Sequence, residues 1–128
     1  METILFDAGV KSYRLGAGIL KFNPTDPNLY ARFLDSLDQL TDLEKELSGT
    51  ATGAEAVNAL RCADTRVKAI LTEVFGPEND MNAIFSGVSL LAVGDNGQRL
   101  LTNFLAAVEP ILSDGARRCA AAEAEALG

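Results

Sequence analysis

The sequence predicts an α+β fold in which helices predominate, with a short N-terminal antiparallel β-ribbon packed on a bundle of about four helices. Two observations support this prediction. Glycine-punctuated runs of β-branched and aromatic residues fill positions 1–23, which is typical of short strands joined by tight turns. From position 26 onward, apolar residues recur mainly at steps of three and four, as on one face of a helix. A chain of 128 residues has the usual size of one domain, so we assign residues 1–128 to a single domain.

The ribbon is predicted over residues 1–23, with two or three strands. Its apolar runs begin with Ile4, Val10 and Ile19, and glycine-containing turns separate them. A ribbon this small is not stable by itself, so it must lie against the helices.

Two longer helices are predicted over residues 26–48 and 54–75. Pro27 suits the first turn of a helix, Gly49 ends the first helix, and Gly76 ends the second. Because the link between them is short, they should pack as an antiparallel hairpin. Each buried leucine of the two apolar stripes should stabilise the fold by about 1.5–3 kcal/mol.

Two further helices are predicted over residues 80–87 and 98–127. Asn79 or Asp80 can cap the shorter one. Pro110 lies inside the longer one and should kink or break it, because proline lacks the N–H and clashes with the preceding turn. The alanine-rich end has high helix propensity and little to bury, so it should fray or serve as an arm.

Charge argues against nucleic acid as a partner. The formal net charge is −7, and eleven basic residues are scattered among eighteen acidic ones. Nucleic-acid binding depends on clustered lysine and arginine, which release counterions from phosphates. Anionic membrane surfaces are disfavoured for the same reason.

Metal and cofactor chemistry finds no support in the residue types. The sequence contains no histidine, which removes the commonest general base and metal ligand. Cys62 and Cys119 lie far apart beside alanines and are expected as separate, buried or half-buried thiols. No Cys/His spacing suggests zinc. We therefore predict neither a metal site nor a cofactor.

The expected location is the cytoplasm. The first residues are acidic and precede no long apolar run, so we do not expect a signal peptide. The longest apolar stretch, over residues 88–93, is too short to span a bilayer.

Catalytic residues are not expected either. The acids fall on polar helix faces, which favours a solvated surface over a converging carboxylate pair. Ser86, Ser89 and Ser113 have no histidine partner, and the glycine-rich segments read as turns rather than phosphate loops. A carboxylate site or a Ser/Lys pair without a sequence signature is left open as the alternative.

Large apolar residues without clean periodicity gather between the second and fourth helices. Such a region either folds over the core, which is the favoured interpretation, or offers a binding patch. The candidate protein-contact patch comprises Phe75, Ile84, Phe85, Val88, Leu90 and Leu91.

Several segments resemble small phage and prophage tail proteins. They are residues 21–33 (KFNPTDPNLYARF), 66–71 (RVKAIL), 74–76 (VFG), 84–87 (IFSG), 104–105 (FL) and 109–111 (EPI). The resemblance covers most of the chain, and its motifs are structural: a helix cap, a helix stop and apolar stripes. They are similar to those of the tail assembly chaperones of siphophages of Gram-positive bacteria.

This resemblance implies a non-enzymatic, often oligomeric protein that acts in virion assembly in the bacterial host cell. Its expected partner is the tape-measure protein, which such chaperones keep soluble until the tail tube polymerises around it. The resemblance supplies no catalytic residue. The alternative within the same class is a secretion-type chaperone, which is also small, acidic and mixed in α and β structure.

Overall fold

The computed structural model describes residues 1–47 and 53–127, with side chains up to residue 122. The predicted helix end at Gly49 and most of the link after it lie outside these residues. Within them the chain forms a β-ribbon and four helices, which confirms the predicted α+β fold with predominant helix. The elements are β1 (Lys11–Leu15), β2 (Gly18–Phe22), α1 (Pro27–Leu47), α2 (Ala54–Phe75), α3 (Met81–Ile84) and α4 (Leu100–Leu127).

The ribbon has two strands, β1 and β2, which pair antiparallel around a turn at Gly16 and Ala17. Leu20 and Phe22 of β2 are buried against the helices. The third strand that the first apolar run allowed is absent from the described chain, because residues 4–6 lie exposed without a strand partner.

Asn79 attaches the ribbon to the end of α2. Its side-chain Oδ1 accepts a hydrogen bond from the backbone N–H of Lys21, at 2.9 Å. Its Nδ2 donates to the carbonyl oxygens of Lys21 and Phe75, each at 2.9 Å. The buried amide thereby replaces a neighbouring strand along β2 and joins it to α2.

The two longer helices, α1 and α2, form the predicted antiparallel hairpin. Near one end, Arg66 of α2 pairs with Glu46 of α1 at 3.0 Å. Near the other end, Arg32 of α1 donates two hydrogen bonds to the carbonyl oxygen of Val74. The later residue of α1 contacts the earlier residue of α2, and the earlier residue of α1 contacts the later one of α2. The two helices therefore run in opposite directions.

The last two helices differ from their predicted bounds. α3 covers only Met81–Ile84 and is capped by the Asp80 side chain, which accepts from the N–H of Ala83 at 3.1 Å. α4 runs through Pro110 as one helix. Of the predicted kink or break at Pro110, the break does not occur, and the kink stays a prediction.

Five aromatic rings cross the core in contact with one another, and we call them the aromatic ladder. Tyr13 stacks on Phe22 at 4.7 Å between ring centroids, and Phe22 lies 5.1 Å from Phe75. Phe104 of α4 contacts Phe75 at 5.9 Å and Phe85 at 5.4 Å. The ladder connects the ribbon, α2 and α4 in one core.

The cysteines are both free thiols, as expected. Cys119 is half-buried, whereas Cys62 is exposed on α2. The expectation of a buried or half-buried Cys62 is therefore wrong, because its position on α2 faces away from the apolar stripe.

Candidate protein-contact groove

An open apolar groove of about 540 Å³ lies between the ribbon turn, the segment that follows α3, and α4. We call it the apolar groove. It is lined by Leu15, Gly16, Ala17, Ile84, Phe85, Ser86, Val88, Leu100, Asn103, Phe104 and Ala107.

Aromatic and aliphatic side chains form the floor of the apolar groove. Phe85 is half-buried and meets Phe104 edge to face, with an interplanar angle of 86°. Leu100 is half-buried beside them at the start of α4. Edge-to-face packing fixes the orientation of the Phe85 ring, so the floor is preformed.

The polar residues that line the apolar groove are Ser86 and Asn103, and both are neutral. The Asn103 side chain already exchanges hydrogen bonds with Asn96, the shorter at 2.9 Å. The groove therefore offers apolar area and no charge to whatever enters it.

One wall of the apolar groove is a tight turn directly after α3. Ser86 has a φ of 55°, which is rare for a residue with a side chain, and Gly87 follows at 75°. The Val88 N–H donates to the carbonyl oxygen of Phe85 at 3.0 Å. This turn brings the Val88 side chain back toward the groove.

Lys68 of α2 binds this turn from the side of the core, and its side chain is only 9% exposed. Its Nζ donates to Asp64 Oδ2 at 2.9 Å, Asn82 Oδ1 at 2.7 Å and the Val88 carbonyl oxygen at 2.9 Å. Asp64 Oδ1 in turn accepts from the Leu90 N–H at 2.8 Å. We call these groups the Lys68 clamp.

Sequence reasoning missed the Lys68 clamp, although the sequence carries a signal for it. Asp64 and Lys68 are four residues apart, the spacing at which helical side chains meet. Lys68 also lies beside Val67 and three residues before Leu71, on the apolar side of α2. A charged pair inside an apolar stripe predicts a buried, satisfied ion pair.

The six residues of the candidate contact patch separate into two groups. Phe75, Ile84, Leu90 and Leu91 are buried in the core of the chain. Phe85 and Val88 line the apolar groove with exposed surface, Val88 at 47%, and the buried Ile84 also borders the groove. Within this chain, contact with another protein is therefore open to Phe85 and Val88, joined by groove residues that the patch did not include.

The described residues also bear on metal binding, membrane spanning and a Ser/Lys pair. Across residues 1–47 and 53–122, whose side chains the structure describes, no group of three or more Cys, Asp or Glu side chains is placed to hold a metal ion. Over residues 1–47 and 53–127, no helix has the length and apolar character needed to cross a membrane. Lys68, a buried lysine, has carboxylate and carbonyl oxygens as its partners, and no serine hydroxyl is among them.

Comparison with known proteins gives no match: no protein-family model, no curated protein and no solved structure matches this chain.

Proposed function

We propose that this chain is a non-enzymatic binding protein whose apolar groove takes the apolar face of a helix from another protein. The supporting observation is the combination of an open apolar groove with a preformed aromatic floor and no charged lining residue. Helix-in-groove recognition uses this kind of surface, with apolar anchors at helical spacing entering a hydrophobic cleft.

The acidic surface outside the apolar groove suits a chaperone. With a net charge of −7, the surface opposes non-specific aggregation while the groove covers apolar surface of a client. Together with the resemblance to tail assembly chaperones, this leads us to propose the tape-measure protein as the client. The proposed setting is phage tail assembly in the cytoplasm of a bacterial host.

Co-expression tests the proposal. The chain is produced together with the tape-measure protein encoded in the same gene cluster, and the soluble fraction of the tape-measure protein is measured after centrifugation. We expect this fraction to rise when the wild-type chain is present. It should fall back when Val88→Asp and Ala107→Asp place carboxylates in the apolar groove, because burying an unpaired charge against a client is costly.

A matched control separates the groove from general surface effects. Val93 is 61% exposed, comparable to Val88, and lies outside the apolar groove. Val93→Asp should keep the solubilising effect of the wild-type chain. Equal solubility of the tape-measure protein with and without the wild-type chain would refute the choice of client, and equal effects of the Val88 and Val93 variants would refute the groove.

A further inference from the structure

One edge of the ribbon is unpaired. In an antiparallel pair, residues alternate between those whose backbone groups bond the partner strand and those whose groups point away from it. Lys21 points away from β1, because its N–H and carbonyl both bond the Asn79 side chain. Its register partner is Ser12, so the Ser12 groups point outward on the other side, and those of Arg14 do the same.

This outward edge of β1, which we call the free edge, is available for strand addition. Among residues 1–47 and 53–127, no second strand pairs with it. An unpaired row of N–H and carbonyl groups is a template for another extended segment. The opposite edge of the ribbon is covered by Asn79, so addition is directed to β1.

The segment before β1 has the character of a strand but no partner. Ile4, Leu5 and Phe6 are 85%, 90% and 77% exposed. They are flanked by Thr3, and β-branched and aromatic residues of this kind favour strands. We call residues 3–6 the N-terminal strand segment.

A hydrogen bond keeps this segment away from the free edge of its own chain. Asn23, which follows β2, donates from Nδ2 to the carbonyl oxygen of Ala8 at 3.0 Å. The chain is also turned at Gly9, whose φ is 69° and whose N–H donates to Asp7. Ala8 is therefore held on the β2 side of the ribbon, opposite the free edge.

The charges of residues 1–10 and of β1 are complementary. The charged side chains of residues 1–10 are Glu2 and Asp7, both acidic. The charged side chains of β1 are Lys11 and Arg14, both basic and both exposed. Opposite charges on paired strands stabilise the pairing, whereas two copies of an acidic chain repel elsewhere.

We propose that the N-terminal strand segment of one copy adds to the free edge of β1 in a second copy. Two copies related by a two-fold axis exchange these segments, so each ribbon gains a third strand. The pairing uses backbone hydrogen bonds at Ser12 and Arg14, and it shields part of the apolar surface of residues 4–6 from water. It does not involve the apolar groove.

Sedimentation equilibrium with two complementary variants tests the exchange. Leu5→Pro disables the donor segment, and Ser12→Pro removes an outward N–H of the free edge while the β1–β2 hydrogen bonds stay intact. The wild-type chain should dimerise, and each variant alone should dimerise about tenfold or more weakly. An equimolar mixture of the two should dimerise more tightly than either variant alone and less tightly than the wild type, because only one of the two exchanges can form, from the Ser12→Pro copy to the intact edge of the Leu5→Pro copy.

Controls keep the outcome decisive. Ser12→Ala retains the backbone N–H and should dimerise like the wild type, as should the groove variant Val88→Asp. Circular dichroism checks that each variant keeps its helices. If Ser12→Pro fails to fold, Leu5→Pro still decides, since Leu5 contacts nothing in its own core. A monomeric wild type, dimers that survive Leu5→Pro, or a mixture that stays monomeric would each overturn the proposal.

Discussion

The Lys68 ammonium group is buried, and all of its hydrogen-bond donors have acceptors. An ammonium group has three donors, and each has an acceptor within 2.9 Å. The acceptors come from α2, from α3 and from the wall of the apolar groove, so a single side chain sets the positions of three segments. Among the described residues, no buried side-chain nitrogen or oxygen lacks a hydrogen-bond partner.

Removing the ammonium group should therefore be costly. Lys68→Met keeps the aliphatic length but leaves Asp64 without its countercharge. The Asp64 side chain is only 15% exposed, so water compensates little for the loss. We expect the free energy of unfolding to fall by about 3 kcal/mol. Urea denaturation followed by circular dichroism measures it.

Arg66 provides the matched control for Lys68 on the same helix. Its ion pair with Glu46 is 60% and 61% exposed at the two side chains. Arg66→Met should cost less than about 1 kcal/mol, since surface ion pairs contribute little. Similar losses for both variants would show that the Lys68 clamp has no special role.

At the residue scale, the residue types alone argued against a metal or catalytic site, but they did not predict which groups Lys68 and Asn79 contact. The predicted apolar stripe of α2 leaves Lys68 out, because hydrophobic periodicity counts only apolar positions. Asn79 was predicted, as an alternative to Asp80, to cap the third helix, since asparagine and aspartate both favour that position, and Asp80 is the cap. The actual role of Asn79 depends on β2, which lies 58 residues away in sequence, and no local pattern contains that distance.

Among the elements, α4 is the least regular in sequence, because it contains both Pro110 and Gly115. Proline in a helix interior loses one backbone hydrogen bond and crowds the carbonyl four residues before it. Glycine in the same helix lowers its stability. The helix persists because Leu101, Phe104, Val108 and Leu112 are buried along one side.

Pro110→Ala should stabilise the chain. Pro110 is exposed, so the substitution restores a helical N–H without removing core packing. We expect a gain of about 1–3 kcal/mol, measured by chemical denaturation. Ser113→Ala, in the same helix, should change stability by only a few tenths of a kcal/mol. A loss of stability in Pro110→Ala would mean that packing of α4 requires the local geometry of the proline.

Gly115→Ala should have the opposite sign from an ordinary helix substitution. A glycine-to-alanine change in a helix interior usually stabilises by about 1 kcal/mol. Here the added Cβ would overlap the backbone carbonyl oxygen of Pro24, which cannot rotate aside. We expect a net loss of about 1–3 kcal/mol in thermal or urea denaturation.

Thr102→Ala gives the control for Gly115, because Thr102 is an exposed position of α4. Its substitution should raise stability slightly through helix propensity. If Gly115→Ala also raises stability, α4 does not approach the turn before α1 as closely as the structure has it.

The helices were predictable where two independent signals agreed. α2 spans the predicted residues 54–75, because an apolar stripe ends at Gly76 and Pro77. The strand expected at residues 4–6 was read from residue type alone, and pairing depends on a partner that the pattern does not contain. α3 ends three residues early because Phe85 and Ser86 turn into the groove wall.

For the whole molecule, the fold class could be read from composition and periodicity, whereas the apolar groove could not. The groove combines side chains from the ribbon turn, the segment after α3, and α4, which are up to 92 positions apart, from Leu15 to Ala107. Only the packing of these segments brings them together. The candidate patch therefore included the groove residues Ile84, Phe85 and Val88 but not Leu100 or Ala107.

The overall charge predicts how solubility depends on pH. The sequence pI is about 4.5, so net charge and mutual repulsion vanish as the pH falls toward that value. The exposed N-terminal strand segment and the apolar groove then favour association. Turbidity should be highest near the pI and fall again under more acidic conditions. Circular dichroism at the same pH should show retained helices, and lowest solubility near neutral pH would contradict the prediction.

The aromatic ladder makes the ribbon observable by light. The sequence has no tryptophan and two tyrosines, so Tyr13 and Tyr30 dominate the near-ultraviolet spectrum. Tyr13 is stacked on Phe22 in the ribbon, whereas Tyr30 lies on α1 at 6.3 Å from Phe33. A Tyr30→Phe variant leaves Tyr13 as the single tyrosine emitter, so ordering or loosening of the ribbon can be followed by intrinsic fluorescence without an attached dye.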